Sequence, residues 1–448
     1  MFSAVAAARE YRFPGGFHPR GCEQAKALTS SAPLTPFAPS DRLILPLSQH
    51  IGAPGEPLVA KGDPLAVGQV IASIKAYVSA PVHSSVSGTV IDIAPCMLPS
   101  GVAVPSVIVQ NDYEDRWDPS ITADDSPESR TPARLRERIR EGGLVGMGGA
   151  AFPTAVKLNV PEGHAVDTLL VNGVECEPYL TCDHRSMLER ADELIDGATL
   201  TRVILGAKRV IFGIETNKPD AIKSVRDAIQ RRNIPECTVA ELPVRYPQGG
   251  EKQLIYAATG RKVPIGSLPV SIGVVVLNVA TTIQVSVTLR TGKPFIERAF
   301  TVTGRVREPR NLVVRLGTLV SDLVDACGGL QPDAVKLVLG GPMMGVALSR
   351  LQIPVTKGSS GVIALGAEDD IPDESPCIHC GRCTRVCPMK LQTTMIDMYV
   401  RKRRYEAAKA AGVMNCIECG ACAYVCPAKR QLTQMCRVGK RMVPLLVK

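Results

Sequence analysis

The sequence predicts a multidomain α/β chain: an all-β barrel-sandwich domain first, then a parallel-sheet domain, a small α+β module, and a helical cysteine-rich domain at the end. Three observations predict it. Residues 43–109 are short β-rich runs cut by Gly and Pro, residues 168–242 alternate apolar strands with helical stretches, and residues 377–427 contain one four-cysteine run twice. At 448 residues, 45% of them apolar, the chain can bury more than one core.

Residues 1–40, rich in Pro, Gly and Ser, read as an extended arm punctuated by the phrase FPGGFHP at 13–19. The barrel-sandwich domain follows at 41–112, with Gly62-Asp63, Gly68 and Gly88 where tight turns between short strands need them. Its phrase VAKGDPLAVGQVIA resembles the half-barrel of biotinyl and lipoyl carrier domains. A carrier needs a lysine at the hairpin tip, whereas the tip here reads His83-Ser84-Ser85-Val86-Ser87-Gly88, so no swinging-arm role is expected.

A polar, acidic linker at 113–133 leads into an α/β domain at 134–298. Its expected helices cover residues 134–142, 185–205 and 219–232, between the strands DTLLVNGVE, RVIFGIE and TVAELPV. The most apolar window, 270–287, is interrupted by Ser271, Gly273, Asn278, Thr281, Thr282 and Gln284. Its β-branched bias reads as buried strands joined by a turn, not as a membrane span. The α+β module covers 299–350 with a short helix at 319–326; a returning β segment follows at 351–367 and a second acidic linker at 368–376. The domain at 377–436 is helix-prone between its cysteine runs, over 391–411, and a basic tail ends the chain at 437–448.

Cys377, Cys380, Cys383 and Cys387 precede Pro388; Cys416, Cys419, Cys422 and Cys426 precede Pro427 at the same spacing. This is the signature of two [4Fe-4S] clusters, in which the fourth cysteine of each run reaches across to the other cluster. Cluster one therefore takes Cys377, Cys380, Cys383 and Cys426, and cluster two takes Cys416, Cys419, Cys422 and Cys387. Zinc would be satisfied by one four-thiolate set and usually separates its CxxC pairs by a longer loop. Cys22, Cys96, Cys176, Cys182, Cys237, Cys327 and Cys436 lack ligand spacing, and His50, His83, His164 and His184 stand isolated; no chemistry is assigned to them.

Residues 142–154, GGLVGMGGAAFPT, let backbone N–H groups approach a phosphate or a flat ring where a Cβ would clash. Alone, such a loop is often only a turn. It is accompanied by VNGVECEP at 171–178 and YPQGGEKQL at 246–254.

These three stretches resemble the flavin-binding segments of the NADH-oxidising flavoprotein subunit of respiratory complex I. Together with FPGGFHP, PLSQHIGAP at 46–54 and the double cysteine run, the chain resembles the RnfC family, the C component of the Rnf complex, over nearly its whole length. The resemblance implies non-covalent FMN on Gly146, Gly148, Gly149, Ala150 and Ala151, with Lys157 close behind. It implies Asn172 and Asn278 beside the flavin, and Tyr246, Gly249, Gly250 and Glu251 completing the pocket. Phe152 would stack on an adenine or flavin plane, Glu175 and Glu177 would lie near the nicotinamide, and Glu251, Glu175 and Glu177 would be the catalytic carboxylates. The α+β module is SLBB-like. Met147 stands where the complex I loop has arginine, Ala151 replaces a glycine, and Val160 stands at one of the places where phenylalanine surrounds the adenine.

The function so implied is electron input to a membrane-bound ion-translocating oxidoreductase. NADH gives up a hydride, cubanes take single electrons, and a flavin belongs between them. Implied partners are NAD(H), the iron-sulfur B component and the membrane D and G components of the Rnf complex, and ferredoxin indirectly, with the chain peripheral on the cytoplasmic side of the inner membrane. Two alternatives stand: a cobalamin reductase of the propanediol-utilisation type, and a flavin-free electron-relay subunit. Residues 1–13 lack the basic lead and long apolar run of a secretory signal. The charge of +9 is concentrated late, at Arg401, Lys402, Arg403 and Arg404 and then Arg430, Arg437, Lys440, Arg441 and Lys448; it reads as a solvated helix face or as a docking face for an acidic redox partner. With 4% aromatic residues there is no stacking platform for nucleic acid, and none is expected as a partner.

Overall fold

The computed structural model describes residues 11–74, 76–369 and 373–446. The first ten residues, part of the second linker and the last two residues of the expected tail lie outside them.

The barrel-sandwich is built on a four-stranded antiparallel sheet in the order Arg42–Pro46, Ala103–Asn111, Gly88–Met97, Pro64–Leu65. Alternation along the first strand buries Leu43 and Leu45 and leaves Arg42 outside, as period 2 requires. The tip expected to be exposed in a carrier is buried: Ser84, Ser85 and Ser87 are 0% exposed, and the Ser85 hydroxyl donates to the Leu316 carbonyl at 2.5 Å. The tip is thus a docking surface for the α+β module. Behind it the fully buried Lys357 donates to the carbonyls of Pro81 (2.8 Å) and Gly143 (2.7 Å), joining three modules at one ammonium.

The α/β domain carries a four-stranded parallel sheet in the order Cys237–Leu242, Arg209–Glu215, Thr168–Gly173, Val274–Asn278. The helix at Pro219–Arg232 has the expected bounds, while the single helix expected over 185–205 is two, Cys182–Glu189 and Ala191–Leu205, broken at Arg190. The paired strands expected over 270–287 are corrected to one strand and one helix, Val279–Thr291. Asn278 starts this helix by accepting from the N–H groups of Ala280 and Thr281. Burial against Ala191–Leu205 then overrides β-branched propensity; Gly197 permits the contact, since a Cβ there would lie 1.9 Å from the Thr282 carbonyl oxygen.

The α+β module is a six-stranded mixed sheet in the order Leu34–Pro36, Arg310–Arg315, Glu297–Gly304, Gly361–Gly366, Ala334–Leu339, Val346–Leu348. Two expectations change. The returning segment is an inner strand of this sheet, and the arm is not merely extended: it forms the helix Cys22–Ala27 and supplies the edge strand Leu34–Pro36.

The last domain is helical, with the two cysteine runs related by a backbone repeat. His379 and Glu418, Gly381 and Gly420, and Lys390 and Lys429 all have positive φ at matching places. The helix expected over 391–411 is interrupted: Thr393–Arg401 and Tyr405–Ala410 flank a turn in which Arg403 has φ +54°. Lys402, Arg403 and Arg404 therefore lie in a turn, while Arg401 ends the preceding helix, paired with Asp397 (2.7 Å) and Glu374 (2.8 Å), and Arg437, Lys440 and Arg441 stand on the helix Leu432–Leu446. The described part of the tail belongs to the helix Leu432–Leu446, whose Cys436 and Val443 pack with Ile396 and Val400 in the domain core.

Candidate functional site

The glycine loop connects the helix Pro132–Glu141 to the short helix Thr154–Lys157. It is closed underneath by Gly146 N–H donating to the Phe152 carbonyl at 2.9 Å and by Met147 N–H donating to the Thr281 hydroxyl at 2.9 Å. Met147, in the place of the complex I arginine, turns its side chain into the main core and away from the open side of the loop. Val160 packs against the same core, and Phe152 is half-buried. Gly148, Gly149 and Ala150 are exposed, and a Cβ at Gly149 would find nothing within 4 Å. Ala151 adopts φ +51°, a conformation that glycine takes without cost. The loop is an open, backbone-lined cradle that fits a flat ring or a phosphate.

Two further stretches converge on it. Asn172, at the end of its strand, donates to the Gly249 carbonyl at 2.9 Å and accepts from Val174 N–H, and Gly249 N–H faces the Cys176 sulfur at 3.4 Å. Gly250 precedes the helix Glu251–Thr259, and the Glu251 carboxylate pairs with Lys157 at 2.7 Å. Asn278 donates to Asp183 at 2.6 Å. Lys157 is thus joined to Glu251 and Asn172 to Gly249, while Asn278 pairs with Asn172 on the neighbouring strand and lies against Gly148 of the loop.

The other two carboxylates are engaged by backbone N–H groups of other segments. Glu175 accepts from the N–H groups of Asp183 (2.7 Å) and His184 (3.2 Å), capping the helix Cys182–Glu189. Burial raises its pKa, and Lys26 of the N-terminal helix stands 4.0 Å away as its counter-charge. Glu177 accepts from Met343 N–H at 3.0 Å, held under the loop that follows Ala334–Leu339, and burial pushes it up to about 7. Asp183, which sequence reading passed over, is also pushed up to about 7, by burial first and then by the charge of Glu175. No local signal marks Lys26 or Asp183; only the fold brings Lys26 to Glu175 and Asp183 to Asn278.

Cys387 lines a small cavity with Cys416, Cys419 and Cys422, so the fourth cysteine of the first run joins the first three of the second. Backbone N–H groups of Leu391 and Glu418 point at the sulfurs of Cys387 (3.3 Å) and Cys416 (3.4 Å). Burial pushes the Cys419 and Cys422 thiols up to about 12 and about 11, so they lie there as thiolates only when a metal takes up the charge. Four convergent soft donors around one cavity fit an iron-sulfur cubane. In the other set, Cys383 and Cys426 pack with Leu432 and with Cys422 of the Cys387 set, while Cys377 and Cys380 lie on a surface loop whose Ile378 is 65% exposed. Cys436, outside both runs, is fully buried in the core that includes Cys387 and Cys416.

Tyr246 connects the two halves. It is 1% exposed, and its hydroxyl donates to the Cys419 carbonyl at 2.6 Å and lies 3.4 Å from Glu177. Among the described residues no helix is long and apolar enough to cross a membrane.

Four family models match the chain in succession: an RnfC barrel sandwich hybrid domain over residues 11–114, a Nuo51 FMN-binding domain over 139–287, an SLBB domain over 299–347, and a 4Fe-4S dicluster domain over 369–427. Similar curated proteins include the C component of the proton-translocating ferredoxin:NAD(+) oxidoreductase complex of Clostridium ljungdahlii, 42% identical over 89% of this chain and 86% of that one. The Na(+)-translocating counterpart of Acetobacterium woodii is 42% identical over 96% and 97%. The C component of the ion-translocating oxidoreductase complex of Rhodobacter capsulatus is 40% identical over 91% and 78%. A chain of an NAD+-reducing [NiFe]-hydrogenase in the H2-reduced state shares the fold, with a TM-score of 0.51 and 18% identity over 73% of this chain and 63% of that one.

Proposed function

This chain belongs to the RnfC family of ion-translocating oxidoreductase components, and on that premise we propose that it is the electron-input subunit of such a complex, oxidising NADH, or reducing NAD+ in reverse. Bound FMN supplies exchange between hydride and single electrons, and two [4Fe-4S] clusters supply one-electron carriage. In this reading Gly146, Gly148, Gly149, Ala150 and Ala151 carry the flavin, with Lys157, Asn172 and Asn278 around it. Glu251 is the carboxylate nearest the solvent side of the pocket, and Glu175 and Glu177 hold its floor.

The observation that carries the reading is the hydrogen bond from Tyr246 to Cys419, which ties the loop of Gly249, Gly250 and Glu251 to the four-cysteine cavity. Cys416, Cys419, Cys422 and Cys387 then form the inner set, on the flavin side. Cys377, Cys380, Cys383 and Cys426 form the outer set, whose loop 377–380 faces solvent and a partner. That partner is the iron-sulfur B component of the complex, alongside the membrane D and G components, with ferredoxin reached indirectly and this chain on the cytoplasmic face. The two relatives named for different coupling ions are equally identical to this chain, which fits a component that carries electrons and no ion.

Of the alternatives, the cobalamin reductase loses to the near-full-length match with Rnf-type relatives. The flavin-free relay is separated by experiment. FMN fluorescence should be quenched on mixing with the purified chain, and NADH should then bleach the flavin and afterwards the iron-sulfur absorbance. No quenching would leave the relay in possession.

A further inference from the structure

Residues 13–19 of the arm lie between the flavin loops and the cluster domain and bond to both. Phe17 and Tyr246 form an antiparallel bridge, with Phe17 N–H donating to the Tyr246 carbonyl at 2.9 Å and Tyr246 N–H donating to the Phe17 carbonyl at 2.6 Å. One residue earlier, Gly16 N–H donates to the Val386 carbonyl at 2.8 Å. Two adjacent amides thus hold the backbone beside Tyr246 and the backbone beside Cys387.

The closeness of the approach explains the two glycines. Gly15 has φ +69°, and a Cβ on it would lie 2.5 Å from the Val386 oxygen and 2.6 Å from the Cys387 oxygen. Gly16 has φ +72°, and its Cβ would lie 2.9 Å from the Tyr246 oxygen. Both the conformation and the space exclude a side chain. Arg245 donates to the Gly15 carbonyl and lies over the Phe13 ring at 5.1 Å, which pins the strap from the flavin side.

The Phe17 ring completes the bridge. It meets Tyr246 edge-on at 5.7 Å and stacks on Tyr424 of the cluster domain at 4.7 Å. Arg20 N–H in turn donates to the Tyr424 hydroxyl at 3.1 Å. Such ring pairs add attraction beyond the area they bury.

We propose that the strap 13–19 is a positioning element for electron transfer: Gly15, Gly16 and Phe17 set the separation between the Tyr246 loop and the Cys387 cavity. Modules joined by a modest interface move relative to one another unless something fixes them. Transfer between two centres falls steeply as the gap widens, so a strap bonded to both sides holds the rate without touching either centre. Phe17 is a positioning residue and not a catalytic one. The proposal rests on the electron-input reading for its kinetic arm, and its second arm does not need that reading.

The variants are Phe17→Ala and Phe17→Tyr, made in the full chain. In hydrogen exchange on the protein as purified, Phe17→Ala should speed exchange in peptides spanning 243–248 and 382–390, and Phe17→Tyr should restore it. In the flavin- and iron-loaded protein, bleaching of the flavin by NADH should stay at the wild-type rate in Phe17→Ala. Onward reduction of the iron-sulfur chromophore should slow by about tenfold, since small misplacements of reacting groups are amplified in rate, and Phe17→Tyr should recover it. Unchanged exchange in both peptides overturns the proposal, whatever the flavin result. Equal loss of flavin, iron and both rates also overturns it, because that outcome marks a general folding role. Faster exchange together with a chain that binds no flavin would keep the strap and overturn the electron-input reading alone.

Discussion

The Lys157 ammonium lies 2.7 Å from the Glu251 carboxylate, tying the helix behind the glycine loop to the first residue of the helix Glu251–Thr259. Both side chains are partly exposed, so the pair serves less as a source of stability than as a way of presenting charge at the mouth of the cradle.

Glu251→Gln should bind FMN and lose most of its reduction by NADH, with the iron-sulfur spectrum intact. Gly149→Val separates cofactor contact from folding, because the space around its Cβ is open in the protein itself. The melting temperature of the flavin-free chain should stay unchanged, while FMN affinity falls tenfold or more, about 1.4 kcal/mol. Fluorescence titration against thermal melting checks both.

Anaerobically prepared protein should carry about eight irons and about eight sulfides, as two cubanes require. Cys387→Ser should remove or distort the inner cluster first, because Cys387 lines the cavity of Cys416, Cys419 and Cys422. Electron paramagnetic resonance of the reduced variant should retain the outer signal. Loss of only the outer signal would reverse the ligand assignment.

Glu177 gives a pH signature. Burial raises its pKa from 4.5 to about 7, so the folded chain holds a proton that the unfolded chain releases. Its effect on stability is absent below about 4.5 and grows into a penalty as pH rises towards 7, reaching about 3 kcal/mol as an order of magnitude. Glu177→Gln should therefore melt at a higher temperature than wild type at pH 8 and at nearly the same temperature at pH 4.5. A variant less stable at both would show that the bond from Met343 to this side chain outweighs the ionisation.

The basic run divides into two parts. Arg401 is held by Asp397 and Glu374, so Arg401→Gln should lower the melting temperature of the cluster domain. Lys402 and Arg403 are exposed in the turn, and changing both to Gln should leave that temperature alone. If this turn meets an acidic partner, transfer to it should slow at low ionic strength and lose part of its salt dependence, because exposed charges are screened over about 8 Å at physiological ionic strength. Stopped-flow transfer at two salt concentrations checks it, and equal rates return the turn to a solvated surface.

The parts of the fold most legible in sequence were those with short-range periodicity. The bounds of Pro219–Arg232 matched because its apolar spacing, its N-terminal Pro and the Asn233 that follows all agree. The helix Val279–Thr291 is not legible in the sequence because it is buried on almost every side, and a helix without a polar face has no 3.6-residue period to read. The break at Arg403 has no sequence signal, since no Gly or Pro marks it; Arg403 itself takes the left-handed conformation. At the site, the cradle and the eight cysteines were visible as motifs, whereas Lys26, Asp183 and Tyr424 were not, since their partners lie far away in sequence.

By itself the sequence determined the iron-sulfur chemistry, because thiolate spacing is a local demand that a cubane places on neighbouring residues, and it pointed to the flavin only through the joint resemblance of three separate stretches. Only the tertiary structure decided which carboxylates face inward, which cluster set lies behind Tyr246, and that the arm is a strap. These depend on contacts between Phe17, Tyr246, Val386 and Cys419, residues separated by 173 positions in the case of the last bond from Tyr246. Such contacts exist only after each module has buried its own core, and no periodicity along the chain encodes them.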